Sequence, residues 1–164
     1  MNSNEQVTHD IVIKRIIDAP VEIVWKMWTE PEHVMAWWGP QFYTSPTCRI
    51  DLRVGGSYRF CMRAPADQGG QDSYTAGVYQ RIVPFELLEF TQQLADADGN
   101  PLPEADLPPG FPTSQLHTIT FAPRRDMTEL TIVEHAWPMS HMIVFSFAGM
   151  HQSLDKLSDI LDAR

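Results

Sequence analysis

The chain has 164 residues, of which 43% are apolar and 20% charged, with a formal net charge of −9 and a pI near 5.0. That is enough for one domain with a real hydrophobic core and too apolar for a disordered chain, while the acidic balance and scattered Lys and Arg exclude a phosphate-backbone partner. No apolar run approaches the length that spans a bilayer, and the first ten residues lack the apolar core of a secretory signal, so a cytoplasmic protein without nucleic-acid partner or membrane span is expected.

Residues 1–164 read as a single domain, with residues 1–9 a polar N-terminal tail that carries His9. Ile11 to Ile17 is rich in β-branched residues and predicts a strand. It ends at Asp18-Ala19-Pro20, where a proline suits the first turn of a helix. Val21, Val24, Trp25 and Trp28 then recur at helical spacing, one buried face. Thr29-Glu30-Pro31 starts a second short helix that carries a solvated His33 and stops at Gly39-Pro40.

From there the period alternates. Thr44 to Leu52 predicts a strand, Val54-Gly55-Gly56-Ser57 a tight turn, and Ser57 to Arg63 a strand with Tyr58, Phe60 and Met62 on one face. Ala64 to Ser73 is a polar loop. Strands at Tyr74 to Val83 and Leu87 to Leu94 are joined by a short turn at Pro84-Phe85-Glu86. Residues 95–114 form a long connection with five prolines that holds neither helix nor central strand. Such a loop is either functional or a tolerated surface insertion. Two more strands, Gln115 to Ala122 and Thr128 to His135, form a hairpin about Pro123–Asp126. The chain ends in a helix from Met142 to Ala163, with an apolar stripe of Ile143, Phe147, Met150, Leu154, Leu157 and Leu161.

One strand, two helices, six strands in a meander and one long helix make an α+β two-layer domain. The two cysteines, Cys48 and Cys61, form no Cys-x-x-Cys pair, so no zinc site is supported. Cys61 lies between Arg59 and Arg63, which admits a reactive thiol, but a structural role is expected for both.

Several segments together carry a family likeness. Ala19-Pro20-Val21-Glu22-Ile23-Val24-Trp25 resembles the first-helix signature of the START-like, or SRPBCC, superfamily. Trp37-Trp38-Gly39-Pro40, Asp51-Leu52-Arg53-Val54-Gly55-Gly56-Ser57-Tyr58, Gly77 to Pro84, Glu89-Phe90-Thr91 and Thr128-Glu129-Leu130-Thr131 resemble its branch named for homology to the activator of the ninety-kilodalton heat-shock protein ATPase. The likeness runs from about Ile11 to Leu161. It departs from the branch at Gly149-Met150, where many members carry Gly-Trp. It implies a helix-grip fold, a curved antiparallel sheet wrapped round the last helix, with a cavity between them for an apolar or amphipathic small molecule. A chaperone partner is the second implication, and a homodimer through an exposed strand edge a further one.

On that fold the ligand-lining candidates are Trp38, Phe60, Tyr79, Phe90, His117, Met142, Phe145 and Met150. Trp25 and Trp28, on the first helix's buried stripe, are core. In a regular last hairpin centred near Arg125, His117 and His135 would be diagonal neighbours some 7–8 Å apart, far for two metal ligands. The hydrophobic pattern asks for a different register. Ile119 and Phe121 belong inside on one strand and Leu130 and Ile132 on the other, which requires an offset of one residue. That register turns His117 and Glu134 inward and His135 outward. His117 and Glu134 are therefore the candidate acid–base pair of a cyclase- or hydrolase-like enzyme, or the partners of a ligand's polar end, or simply bonded to each other. No Gly-rich phosphate loop, nucleophile elbow or helical zinc pair is present, and no cofactor or metal is expected.

Overall fold

The computed structural model describes residues 6–164; the first five residues of the expected tail lie outside them. The order is β1 (Thr8–Ile17), α1 (Val21–Thr29), α2 (Pro31–Trp37), β2 (Cys48–Ile50), β3 (Ser57–Arg63), β4 (Asp72–Val83), β5 (Leu87–Ala95), β6 (Gln115–Arg124), β7 (Met127–Pro138) and α3 (Met142–Asp162). The strands form one antiparallel sheet of seven in the order β1-β7-β6-β5-β4-β3-β2. The expected helix-grip α+β architecture is therefore present.

Pro20 stands at the N-cap of α1 and Pro31 opens α2, positions where a missing N–H leaves no helical bond unmade. Both helices lie on the concave face of the sheet. Trp25 packs edge-on against Phe121, and Trp28 against Trp37 and Trp38. Gly39 ends the helical pair with φ 104°, and a Cβ there would stand 3.1 Å from that of Tyr43. Glycine permits both the turn and the close approach.

The last hairpin takes the offset register. His117 pairs with Glu134, Ile119 with Ile132 and Phe121 with Leu130. The offset comes from the turn: Arg124 pairs with Met127, so only Arg125 and Asp126 are left over, and Arg125 takes φ 57°. Pro123, expected in the turn, sits in β6 instead. It is tolerated there because β5 pairs with β6 only as far as Thr120, leaving Pro123 no ladder partner on that side.

Three other elements differ from expectation. The strand expected over Thr44 to Leu52 is confined to Cys48–Ile50. Pro46 has no N–H to donate, and Ser45 uses its hydroxyl on the carbonyl of Cys61 at 2.6 Å instead of extending a ladder. β1 begins at Thr8, so the end of the expected tail, His9 included, joins the sheet opposite Trp137 and Pro138. And the stripe on α3 is buried only in its second half: Leu154, Leu157 and Leu161 are core, whereas Phe147 is 43% exposed. The helix packs on β1 and α2 through that second half, and its first half stands off the sheet.

Candidate functional site

The space left under the first half of α3 is a cavity of about 540 Å³. Its floor is Met62 of β3, Thr75 of β4, Gln92 and Leu94 of β5 and Glu134 of β7. Its roof is α3, through Met142, Phe145, Ser146, Gly149 and Met150, and one side is closed by Trp38, Gly39, Pro40 and Tyr43. The remaining side is Phe111, from the proline-rich loop.

That loop is held down, not loose. Ala95 bridges Pro101, and the Asp96 carboxylate accepts from the backbone N–H groups of Asp98 and Asn100. At its far end the Ser140 hydroxyl donates to the carbonyl of Gly110 and accepts from the N–H of Met142 at the start of α3. Phe111 thus meets the ring of Trp137 edge-to-face, with centroids 5.2 Å apart.

Trp137 reaches the inner face because β7 carries a bulge. Inward residues alternate from Thr128 to Glu134, and Ala136 would come next. The register with β1 shifts between His9 and Ile11, Ala136 adopts φ 57°, and its N–H bonds to the Asp10 carboxylate at 2.9 Å. The extra residue turns Trp137 inward in its place, 1% exposed.

The acidic group in the cavity wall is Glu134 of β7, backed by its cross-strand partner His117 of β6. Glu134 is 2% exposed and His117 1% exposed, with His117 Nε2 3.6 Å from Glu134 Oε1. His117 Nε2 lies 2.8 Å from Gln115 Oε1, and the Ser146 hydroxyl approaches both Glu134 oxygens at 3.4 and 3.5 Å. Burial, helped by His135 on the opposite face, pushes the His117 imidazole down to about 3. Burial pushes the Glu134 carboxyl up to about 7, opposed by the Ser146 hydroxyl and the Trp137 indole. The indole N–H itself makes no hydrogen bond, so its pull is that of a nearby dipole. At neutral pH the pair is a neutral imidazole beside a carboxyl near its midpoint, not an ion pair. Two more polar atoms of lining residues, Thr75 Oγ1 and Gln92 Oε1, are buried without any hydrogen-bond partner.

Of the expected lining residues, Trp38, Met142, Phe145 and Met150 border the cavity, with Phe145 at the mouth, 68% exposed. Phe60, Tyr79 and Phe90 do not. They are packed into an aromatic arc with Tyr58 and Trp38, with centroids 4.8 to 6.0 Å apart, which fills that end of the concave face. His117 stands behind the wall, against Phe90 and Glu134. Tyr43, one of the aromatic residues that the sequence offers for a pocket, is in the wall; Phe111, Thr75, Gln92 and Ser146 were not foreseen. Only the length and proline content of the loop carrying Phe111 hinted at any of them.

The remaining candidates are structural. His135 faces outward, 2.9 Å from Thr118 Oγ1, and makes no pair with His117. Among the described residues no group of ligands could hold a metal ion. Burial pushes the Cys48 thiol up to about 12 and raises that of Cys61, while Arg63 is engaged by Asp72 at 2.7 Å, so neither thiol is activated. A second groove of about 700 Å³ on the outer face, beside Arg49, Asp51 and Arg59, has a wall divided evenly between polar and apolar surface, unlike the mostly apolar wall under α3. No helix of the described residues is long and apolar enough to cross a membrane.

Solved structures with this architecture are numerous. A protein of Chromobacterium violaceum is 28% identical with a TM-score of 0.72, covering 92% of this chain and 95% of its own. A Silicibacter pomeroyi protein titled AHSA1 is 18% identical with a TM-score of 0.74, over 94% of this chain and 99% of its own. An AHSA1-like protein of Aeromonas hydrophila is 22% identical with a TM-score of 0.71, over 94% and 93%. No curated protein matches the chain. Residues 18–162 match the family described as "Activator of Hsp90 ATPase homolog 1-like protein", and the chain belongs to that branch of the START-like superfamily.

Proposed function

We propose that the protein binds an amphipathic small molecule between its sheet and the first half of α3. The observation that carries this reading is the cavity itself. It is of ligand size, apolar over most of its wall, and carries a few polar side chains, Glu134 and Ser146 among them.

A thermal-shift screen against fatty acids, sterols, flavonoids and polyketide-like aromatics tests it. A ligand at a hundred times its Kd stabilises by about 2.7 kcal/mol, or about 5–10 °C for a domain of this size. The control is Gly149→Leu. Gly149 lines the cavity, and a Cβ there meets only Pro40, at an ordinary 3.6 Å. Leucine also favours the helix over glycine, so the variant keeps its resting Tm and loses the ligand-induced shift. A shift that survives Gly149→Leu puts the ligand elsewhere. Silence across the panel transfers the weight to the chaperone-ATPase activity in the family's description.

A second reading rests on Glu134. A carboxyl held near neutrality in an apolar cavity suits general acid–base work of a cyclase or hydrolase kind. His117 would act there as a positioning residue, since it stands behind the wall. Turnover of a bound ligand that is lost in Glu134→Gln supports this reading, and unchanged turnover in that variant removes it.

A further inference from the structure

If the cavity holds a ligand, its wall also selects the ligand's head group. We infer that the polar end takes the uncharged head of an amphiphile, an alcohol, phenol or ketone, and rejects carboxylates and other anions. This rests on the binding reading above and narrows it.

Charge composition carries it. Among the described residues no Lys or Arg lines the cavity, and the one acidic side chain in its wall is Glu134. A fatty-acid carboxylate would need a cation or several free N–H donors at its seat. The groups that face Glu134 supply no positive charge. From β6 comes His117, whose Nε2 is taken by Gln115 and whose ring burial keeps neutral. From α3 comes the hydroxyl of Ser146, and from β7 the indole of Trp137. From β1 the residue opposite Glu134 is Ile11. The nearby Lys156 of α3 directs its ammonium to the carbonyls of Pro40 and Tyr43, at 3.3 and 3.0 Å. With a chain charge of −9 the long-range field repels anions as well.

A hydroxyl or carbonyl head needs no counter-ion at this seat, whereas a carboxylate would be desolvated beside Glu134 with no cation to pair it.

The test uses three probes that share a skeleton and differ only in the head: 6-phenylhexan-1-ol, 6-phenylhexanoate and 6-phenylhexylamine, titrated by calorimetry at pH 6 and pH 8. The alcohol binds at both. The carboxylate binds at least about tenfold more weakly at pH 8, where Glu134 is ionised, and gains as the pH falls to 6. The amine shows the opposite trend. Glu134→Gln narrows the gap between alcohol and carboxylate and removes both pH trends. A carboxylate that binds as tightly as the alcohol at pH 8, or pH trends unchanged in Glu134→Gln, overturns the inference and leaves the cavity-binding reading standing. If none of the three binds while a larger ligand of the first screen does, the head-group assignment fails for this skeleton and falls with it. If nothing binds in either experiment, the cavity-binding reading has failed.

Discussion

The two halves of α3 carry the same apolar spacing and meet opposite surroundings. From Ser153 onward the stripe is sealed: Leu154 and Leu157 are 0% exposed and Leu161 5%, packed over β1 and α2. Before Ser153 the stripe comes apart: Ile143 packs against the core, Phe147 is 43% exposed beside His151, and it is Met150 with the neighbouring Met142, Phe145, Ser146 and Gly149 that faces open volume, with Glu134 across from it. A helix's hydrophobic period names the face that turns inward. What the helix meets is decided by what stands opposite, and here Trp28 of α1 with Ile13 and Ile132 of the sheet stand at one end and Thr75, Gln92 and Glu134 at the other.

Truncation tests that contrast with the largest expected effect. Leu157→Ala leaves a hole in a dry core and destabilises by about 2–5 kcal/mol in urea or guanidinium unfolding. Met150→Ala removes a half-buried side chain that already borders open space, so it costs about 1 kcal/mol or less. Equal effects would mean that the first half is as tightly packed as the second, and that the cavity closes in solution.

Next comes the polar end. Glu134 has a folded value of about 7 against an ordinary 4.5, so its burial leaves stability intact below 4.5 and removes it as pH rises toward 7. His117, at about 3 against 6.5, acts in the other direction, leaving stability intact above 6.5 and removing it as pH falls. Between 4.5 and 6.5 the two slopes, each about 1.4 kcal/mol per pH unit, offset each other, and the parent protein shows a nearly flat profile from this pair. Glu134→Gln unmasks His117. The variant is more stable than the parent by roughly 3 kcal/mol at pH 8, and the advantage shrinks to nothing near pH 4.5. An advantage that is the same at pH 5 and pH 8 would mean that Glu134 does not titrate in this window, as it would not if it formed an ion pair with His117.

Phe111→Ala is a smaller probe. It removes the edge-to-face contact with Trp137 and the side wall that the loop contributes, at about 1 kcal/mol. Its effect on ligand affinity exceeds its effect on stability, because the contact it breaks closes the cavity and not the core. Unfolding and calorimetry on the same variant separate the two.

How much of this was legible before folding varies with the kind of signal. The inward placement of His117 and Glu134 was legible, because burying Ile119 and Phe121 together with Leu130 and Ile132 fixes the parity of the register, and that parity turns both inward. The strand order and α3 were legible for the same reason, since period alone carries them. The division of aromatic residues between filling and lining was not. Phe60, Tyr79 and Phe90 share the concave face with Met62 and Thr75, and only the three-dimensional course of α2 decides that Trp38 closes over the first group. Phe111 lay in a segment without periodicity, where position follows from a few hydrogen bonds such as that of Ser140.

The bulge at Ala136 was hidden for a different reason. Left-handed backbone is advertised in a sequence by glycine or asparagine, and here an alanine holds φ 57°, with Asp10 bonded to its N–H. A Cβ in that conformation costs about 1 kcal/mol, partly offset in a glycine variant by the greater freedom of the unfolded chain. Ala136→Gly should therefore stabilise by about 0.5 kcal/mol or less and leave Trp137 facing Phe111, with its indole fluorescence unchanged. Ala136→Val should destabilise by more than that, because a β-branched side chain tolerates the left-handed region least. If Ala136→Gly instead destabilises, or shifts the Trp137 emission, then the bulge depends on the methyl group, and the cavity's polar end is shaped by packing on the outer face as well as by the inner one.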